Sequence, residues 1–231
     1  MRVLVMLILA ELRPKSNMRK LEEQLKKLSY YDGIDIPDSP LGEPTVPPIA
    51  VAAVARKILG DDVEIIINQR LADVNELFVR SLAKGAKLLN VSIAFTKGDK
   101  PRVGREVGYL TSESAVAIAK AAEGIRAGMI LSLRKPISEI KARMNSHADF
   151  FLAVRLSKPE MLDGLENSKV LPYVIVKTDK NSNVVEELGQ PYVDYREISE
   201  FVRKLEDYNP LGILLSSPGD EEWLYKGIHF L

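Results

Sequence analysis

Cysteine is absent from this 231-residue chain, and histidine is nearly so, with only His147 and His229. Without thiols there are no disulfides, no thiolate nucleophile, no iron–sulfur cluster and no cysteine-held zinc. Two imidazoles leave a multi-histidine metal centre short of ligands, so no metal site is expected. Long hydrophobic runs are missing too: no stretch approaches the roughly eighteen apolar residues that a membrane-spanning helix needs. Charge of one sign is not in excess, with 32 basic against 32 acidic side chains, which argues against a coat for nucleic acid or a polybasic membrane binder. G-x-S-x-G, H-E-x-x-H, the Walker phosphate loop and G-x-G-x-x-G do not occur. Glutamine is scarce at three, while Lys, Glu and Ile are frequent, a composition that leans toward a hot-growing source.

What is present is an ordinary globular composition, 46% hydrophobic and 28% charged. The apolar residues 3–10 follow a single arginine and superficially suggest a signal peptide, but Glu11, Arg13 and Lys15 interrupt at once with no small-residue cleavage site. A buried first strand in a cytoplasmic protein is the better reading.

Short β-branched or leucine-rich runs alternate with segments of helical period. Strands are expected at 3–10, 33–37, 63–68, 88–95, 129–133, 149–154, 170–177 and 211–216. Helices are expected at 17–28 with Asn17 as cap, 47–59 opening on prolines, and 73–84 ending at Gly85. The remaining helices are expected at 112–125 (capped by Ser112 or Ser114), 137–145, 159–165, 195–205 and 220–225, with residues 179–193 a long loop. Eight strand–helix pairs, repeating at about 29 residues each, predict a single-domain (β/α)8 barrel over 1–231. A doubly wound open sheet would carry a glycine-rich turn after its first strand, where this chain has Glu11-Leu-Arg-Pro-Lys15.

In such a barrel, chemistry belongs where strands end. Glu11 closes an apolar strand, where burial would raise its pKa and suit a general acid; the alternative is an ion pair with Arg13, Arg155 or Arg134. Lys97, Arg102, Arg105, Arg134, Lys135, Arg155 and Lys177 form an expected basic ring for an anionic ligand, unless they are solvated loop charges. His147 reads as a helix-end residue, His229 as a near-terminal packing residue, and Trp223 as the anchor of a short terminal helix.

Several of these segments resemble a known family. Asp35-Ile-Pro-Asp-Ser-Pro-Leu-Gly42 with Pro47-Pro-Ile-Ala50, Asn68-Gln-Arg-Leu-Ala-Asp-Val-Asn75 leading to Ala83-Lys-Gly85, Lys97-Gly-Asp-Lys-Pro101, and Ala-Glu11-Leu-Arg-Pro resemble, in order and spacing, strand-end motifs of methylenetetrahydrofolate reductases. The motifs cover roughly the first hundred residues. The resemblance implies a flavin-containing barrel that reduces a methylene-folate or related one-carbon pterin to the methyl form. It implies Glu11 as the acid that opens the methylene bridge and Asp99 as a catalytic neighbour of the flavin. It also implies Asp38, Asn68, Lys97, Arg134 and Arg143 as FAD-binding residues, and Gln69, Arg155 and Lys177 as substrate-binding residues. The sequence departs from the family after strand five, where Leu133 runs directly into Arg134-Lys-Pro136 and the FAD-holding loop is shortened.

Two other readings follow. One is a flavin-free pterin-binding barrel, acting in methyl transfer or as a subunit with an electron-donor partner protein. The other is an unrelated barrel holding a phosphorylated metabolite near strands seven and eight. A homo-oligomeric state is left open.

Overall fold

The computed structural model describes residues 6–227. Its strands and helices are β1 (Leu7–Glu11), α1 (Met18–Lys27), β2 (Gly33–Ile36), α2 (Pro48–Leu59), β3 (Glu64–Arg70), α3 (Glu76–Leu89), β4 (Ser92–Thr96), α4 (Ser112–Glu123), β5 (Ala127–Ser132), α5 (Ile137–Met144) and β6 (Phe151–Val154). They continue with β7 (Val170–Lys177), α6 (Ser182–Glu187), β8 (Val193–Asp194), α7 (Ile198–Glu206), β9 (Gly212–Ser216) and α8 (Glu221–Gly227). Each strand from β1 to β6 pairs in parallel with the next, β6 pairs with β7, β7 with β9, and β9 with β1. The eight strands close on themselves, and the fold is a (β/α)8 barrel. The short β8 lies outside the ring and extends the end of β7 through Val176↔Val193.

Alternation along the strands sorts side chains into two cores. Leu9, Ile66, Ala94, Phe150, Leu152, Leu171 and Leu214 fill the lumen, whereas residues of opposite parity such as Ile34, Ile65 and Ile67 pack under the helices. The lumen is narrow. A Cβ on Gly128 of β5 would stand 2.7 Å from the ring of Phe150. That strand therefore carries no side chain where Phe150 fills the barrel.

Local chemistry sets most helix ends. Asn17 caps α1 by accepting from the Lys20 amide at 3.1 Å, satisfying a donor that the helix itself cannot. Thr111, one residue before the expected serine, caps α4 in a reciprocal pair with Ser114, and Gly124 ends that helix in the left-handed conformation. Differences from the expected boundaries have identifiable causes. Helix α3 starts later and runs through Gly85 to Leu89, ending at Asn90 (φ 50°). Gly85 faces Ile49 of α2, whose nearest atom would lie 3.5 Å from an added Cβ, so this glycine permits close helix approach rather than termination. Leu88 and Leu89 therefore belong to the helix, and β4 begins at Ser92. Between β6 and β7 the expected helix is only a 3-10 turn, Pro159–Leu162, while the expected long loop contains α6 and β8. Trp223 is buried on α8 as expected; His229 lies outside the described residues. Among the described residues no helix is long and apolar enough to cross a membrane.

Candidate active site at the carboxyl ends of the strands

Two residues beyond the lumen leucines, the same inward faces turn polar. Leu9 is followed by Glu11, Leu171 by Tyr173 and Leu214 by Ser216, while Asp35 of β2 stands in register beside Glu11. One carboxylate oxygen of Glu11 accepts a hydrogen bond from the Tyr173 hydroxyl at 3.2 Å, and the other accepts from the Ser216 hydroxyl. Arg13 Nε lies 3.9 Å from Glu11, an ion pair without a hydrogen bond, so the expected pairing of Glu11 with Arg13 is present, though loose. Glu11 is thus held by two hydroxyls, and of the three arginines that could have paired with it, only Arg13 comes near.

Asp35 is 1% exposed and stands between the outward-facing Ile34 and Ile36. Its Oδ2 accepts from the Asn68 amide at 2.8 Å; Oδ1 and Asn68 Oδ1 are both buried without a partner. Burial, reinforced by the neighbouring Glu11, raises the Asp35 pKa well above the ordinary carboxylate range, and its amide bond to Asn68 only partly offsets this. The same two influences, burial first and Glu11 second, raise the Tyr173 phenol. The result is Glu11 fixed by two hydroxyl donors next to an Asp35 whose acid form burial favours.

The other site residues expected from the sequence are spread around the mouth. Asp38 accepts from the Arg70 amide at 3.0 Å and the Gln69 side chain at 3.1 Å, binding the β2 loop to the end of β3; burial raises its pKa, opposed by the backbone bond from Arg70. Asp99 accepts from the Leu41 amide at 3.0 Å. Arg143 donates to the Ile130 carbonyl and pairs with Glu113 at 3.0 Å. Lys177 pairs with Glu186 at 2.7 Å and lies over the Tyr192 ring, and Arg102 and Lys135 pair with Glu43 and Glu139. Lys97, Arg105, Arg134 and Arg155 have no ion pair or side-chain hydrogen bond among the described residues, so only part of the expected basic ring is free for a ligand. Arg155 is half-buried at the end of β6 with φ 68°, a conformation that costs a non-glycine residue energy. His147 is exposed and offers only its carbonyl, to Lys120.

Asp35, Tyr173, Ser216 and Arg13 were not among the expected site residues. A period-two signal could have found three of them: Gly33–Asp35, Leu171–Tyr173 and Leu214–Ser216 each place a polar residue two steps after a lumen position. At the ends of β7 and β9, where barrels often hold a phosphate, Asp220 already stands, bonded to Thr178 at 2.8 Å beside buried Asn181 and Ser217. A carboxylate in that corner disfavours the phosphorylated-metabolite reading.

No protein-family model matches the sequence, and no curated protein matches it. Solved structures do resemble the fold. An oxaloacetate acetylhydrolase superposes with a TM-score of 0.61 at 12% identity, over 98% of this chain and 80% of its own. A 2,3-dimethylmalate lyase of the PEP mutase/isocitrate lyase superfamily gives 0.61 at 11%, over 98% and 81%. A mandelate racemase/muconate lactonizing protein from Paracoccus denitrificans PD1222, complexed with magnesium, gives 0.51 at 9%; this chain covers 55% of that protein. Likeness at this identity establishes the fold.

These findings correct the expectation of a methylenetetrahydrofolate reductase. The structural relatives are a hydrolase, a lyase and a racemase-type protein, so the oxidoreductase class, the folate or pterin substrate and FAD are withdrawn together. The geometry supplies the physical reason. Of the expected FAD ligands, Asp38 is spent on the Gln69 and Arg70 end of β3, Arg143 on Glu113 of α4 and the Ile130 carbonyl of β5, Asn68 on Asp35, and Lys97 and Arg134 sit on separate loops.

Proposed function

We propose that the chain is an acid–base enzyme that makes or breaks a carbon–carbon or carbon–oxygen bond next to a carboxylate, as a lyase or hydrolase of oxo or hydroxy acids does. The observation that carries this reading is the Glu11–Asp35 pair, in which Glu11 is fixed by Tyr173 and Ser216 and its in-register neighbour is buried, which favours the neighbour's acid form. The names of the structural relatives, an oxaloacetate acetylhydrolase and a 2,3-dimethylmalate lyase, support the substrate class.

In a cleavage of a 2-hydroxy acid, Glu11 takes the hydroxyl proton and the oxygen forms a carbonyl. The adjacent carbon–carbon bond breaks, its electron pair goes to the departing carbon, and the proton on Asp35 Oδ1 is delivered there. Arg13, beside Glu11, and Arg155, at the end of β6, would bind the substrate carboxylate, a bidentate task suited to arginine. The same reading keeps the protein cytoplasmic. In its support, the described part of the first apolar run forms a barrel strand with Leu9 and Ala10 buried.

A second reading has its own observation. Asp35 Oδ1 and Asn68 Oδ1 face no donor, and a magnesium ion takes oxygen ligands, often one or two carboxylates with water filling the rest. Against it, no three His, Cys, Asp or Glu residues group to hold a metal among the described residues. Calorimetric titration with Mg2+ separates the two, since a protonated Asp35 predicts no saturable heat. The direct test of the main reading is NMR of oxaloacetate and 2,3-dimethylmalate incubated with the protein in D2O. Neither turnover nor carbon-bound hydrogen exchange in any such acid would sink it.

A further inference from the structure

A cavity of about 860 Å³ opens at the ends of β4 and β5, against α4 and α5. That volume lies in the range of sites that bury drug-sized ligands, and far exceeds what a four-carbon diacid fills. Thr96 and Ser132 line it. Both have lumen parity, two steps beyond Ala94 and Ile130, and Thr96 is in register with Arg70, two residues past the Asn68 that bonds Asp35. The cavity therefore opens at the same end of the barrel as the carboxylate pair, beside the ends of β4 and β5, without being lined by Glu11 or Asp35 themselves. Leu110, Ile130, Leu131 and Ile140 give it an apolar wall among polar and charged neighbours, and exposed Lys97 is part of its lining. Arg143 is neutralised by Glu113 and Lys135 by Glu139, which leaves the Lys97 ammonium as the wall's cation without a partner among the described residues.

We infer that this cleft is a binding subsite for an extended arm of the substrate: an apolar chain or ring that ends in an anionic group, carboxylate, sulfonate or phosphate, held by Lys97. This rests on the acid–base reading only for where the arm begins. The substrate class becomes an oxo or hydroxy acid carrying a bulky substituent, rather than a bare diacid.

The test uses the whole protein and anilinonaphthalene sulfonate, a probe with aromatic rings and one anionic group. The wild type should bind one probe per chain with enhanced fluorescence. Ala142→Trp, which places an indole in the cleft from an exposed position on α5, should weaken binding at least tenfold; Lys97→Glu should weaken it about tenfold by reversing the rim charge. Ala142→Ser, with thermal unfolding recorded for every variant, separates filling of the cleft from misfolding and should bind like the wild type. Failure of the wild type to bind at one to one, or unchanged affinity in Ala142→Trp or Lys97→Glu, overturns the inference. Such unchanged affinity would place the probe on another surface, such as the exposed Leu77 and Phe78 of α3. The readout needs no turnover, so absence of activity toward any acid would count against the acid–base reading and leave this result standing.

Discussion

Replacing Asp35 by asparagine should make the protein more stable while removing its chemistry, and the gain should depend on pH in a defined direction. Asp35 is fully buried and in register with Glu11 on the adjacent strand. Neighbouring strands lie about 4.8 Å apart. Two ionised carboxylates about 5–6 Å apart at an effective dielectric of about 20 repel by about 3 kcal/mol, before any cost of burial. Asparagine keeps the shape and an oxygen for the Asn68 amide but carries no charge at any pH. The folded-state pKa of Asp35 is raised above its ordinary value of 3.8, so its protonated form belongs to the folded protein. Its contribution is fully present below that ordinary value and is lost as pH rises toward the folded pKa. The loss proceeds at about 1.4 kcal/mol per pH unit and then levels off.

Asp35→Asn and wild type should therefore melt together near pH 4 and diverge as pH rises, with the variant the more stable. At pH 8 a difference of about 3 kcal/mol corresponds to about 6–12 °C in a domain of this size. Thermal unfolding by circular dichroism across pH 4–9 measures it, and the pH at which the gap stops growing reads the folded pKa of Asp35. A gap that does not change with pH, or a variant less stable than wild type at pH 8, would refute the reasoning. Either result would mean that Asp35 is charged and satisfied by something other than a proton.

Other expectations can be checked with the same protein. Glu11→Gln should lower turnover of a responsive acid by about 100-fold or more while melting within a few degrees of wild type, because the amide still accepts from Tyr173 or Ser216; an unchanged rate would remove Glu11 from the chemistry. Arg155→Gly should relieve the left-handed backbone at φ 68° and raise KM more than it lowers kcat, as loss of a substrate anchor does; an unaltered KM would leave the strain without a binding role. Gly85→Ala should stabilise by about 0.5–1 kcal/mol in denaturant melts, since the site is mid-helix and the added methyl meets Ile49 at ordinary contact distance. Gly128→Ala should destabilise by about 1–3 kcal/mol, because its methyl would overlap the Phe150 ring.

The barrel was legible because its signals are repeated and local. Runs buried on both faces, capped helices and short connections recur around the chain, and an error in one unit, such as the helix expected at 159–165, leaves the ring intact. Glycine was harder to interpret, because its sequence signal is the same for a stop and for a close approach: Gly124 ends α4, whereas Gly85 lets α3 pass α2. The site was half legible. Glu11 announced itself as a charge after an apolar run. Asp35 did not, because its significance is its place in the register beside Glu11, a relation between two strands that a whole helix separates along the chain. Tyr173 and Ser216 reach the same carboxylate from far later in the chain, on β7 and β9, and no local pattern encodes that meeting.

The family resemblance misled for a related reason. Asp38, in the Asp-Ile-Pro-Asp segment, accepts from the Arg70 amide of the Asn-Gln-Arg segment. Arg70, 3% exposed, donates to the Ser39 carbonyl at 3.1 Å and the Asp99 carbonyl at 2.6 Å, so it joins the loops after β2 and β4. Gly98 is required because a Cβ there would stand 2.8 Å from Arg70, and Gly42 because its Cβ would strike the Lys100 carbonyl. Three of the motifs that carry the resemblance thus bind one another, and their order and spacing follow from fastening three consecutive strand ends. Any barrel that ties these loops through a buried arginine comes under the same steric demands, whatever it catalyses. The residues that would distinguish one chemistry from another are the inward pair Glu11 and Asp35 and the hydroxyls around them. There Glu11 is held by two hydroxyl donors beside a buried Asp35 whose acid form burial favours, and the proposed proton transfer rests on that pair.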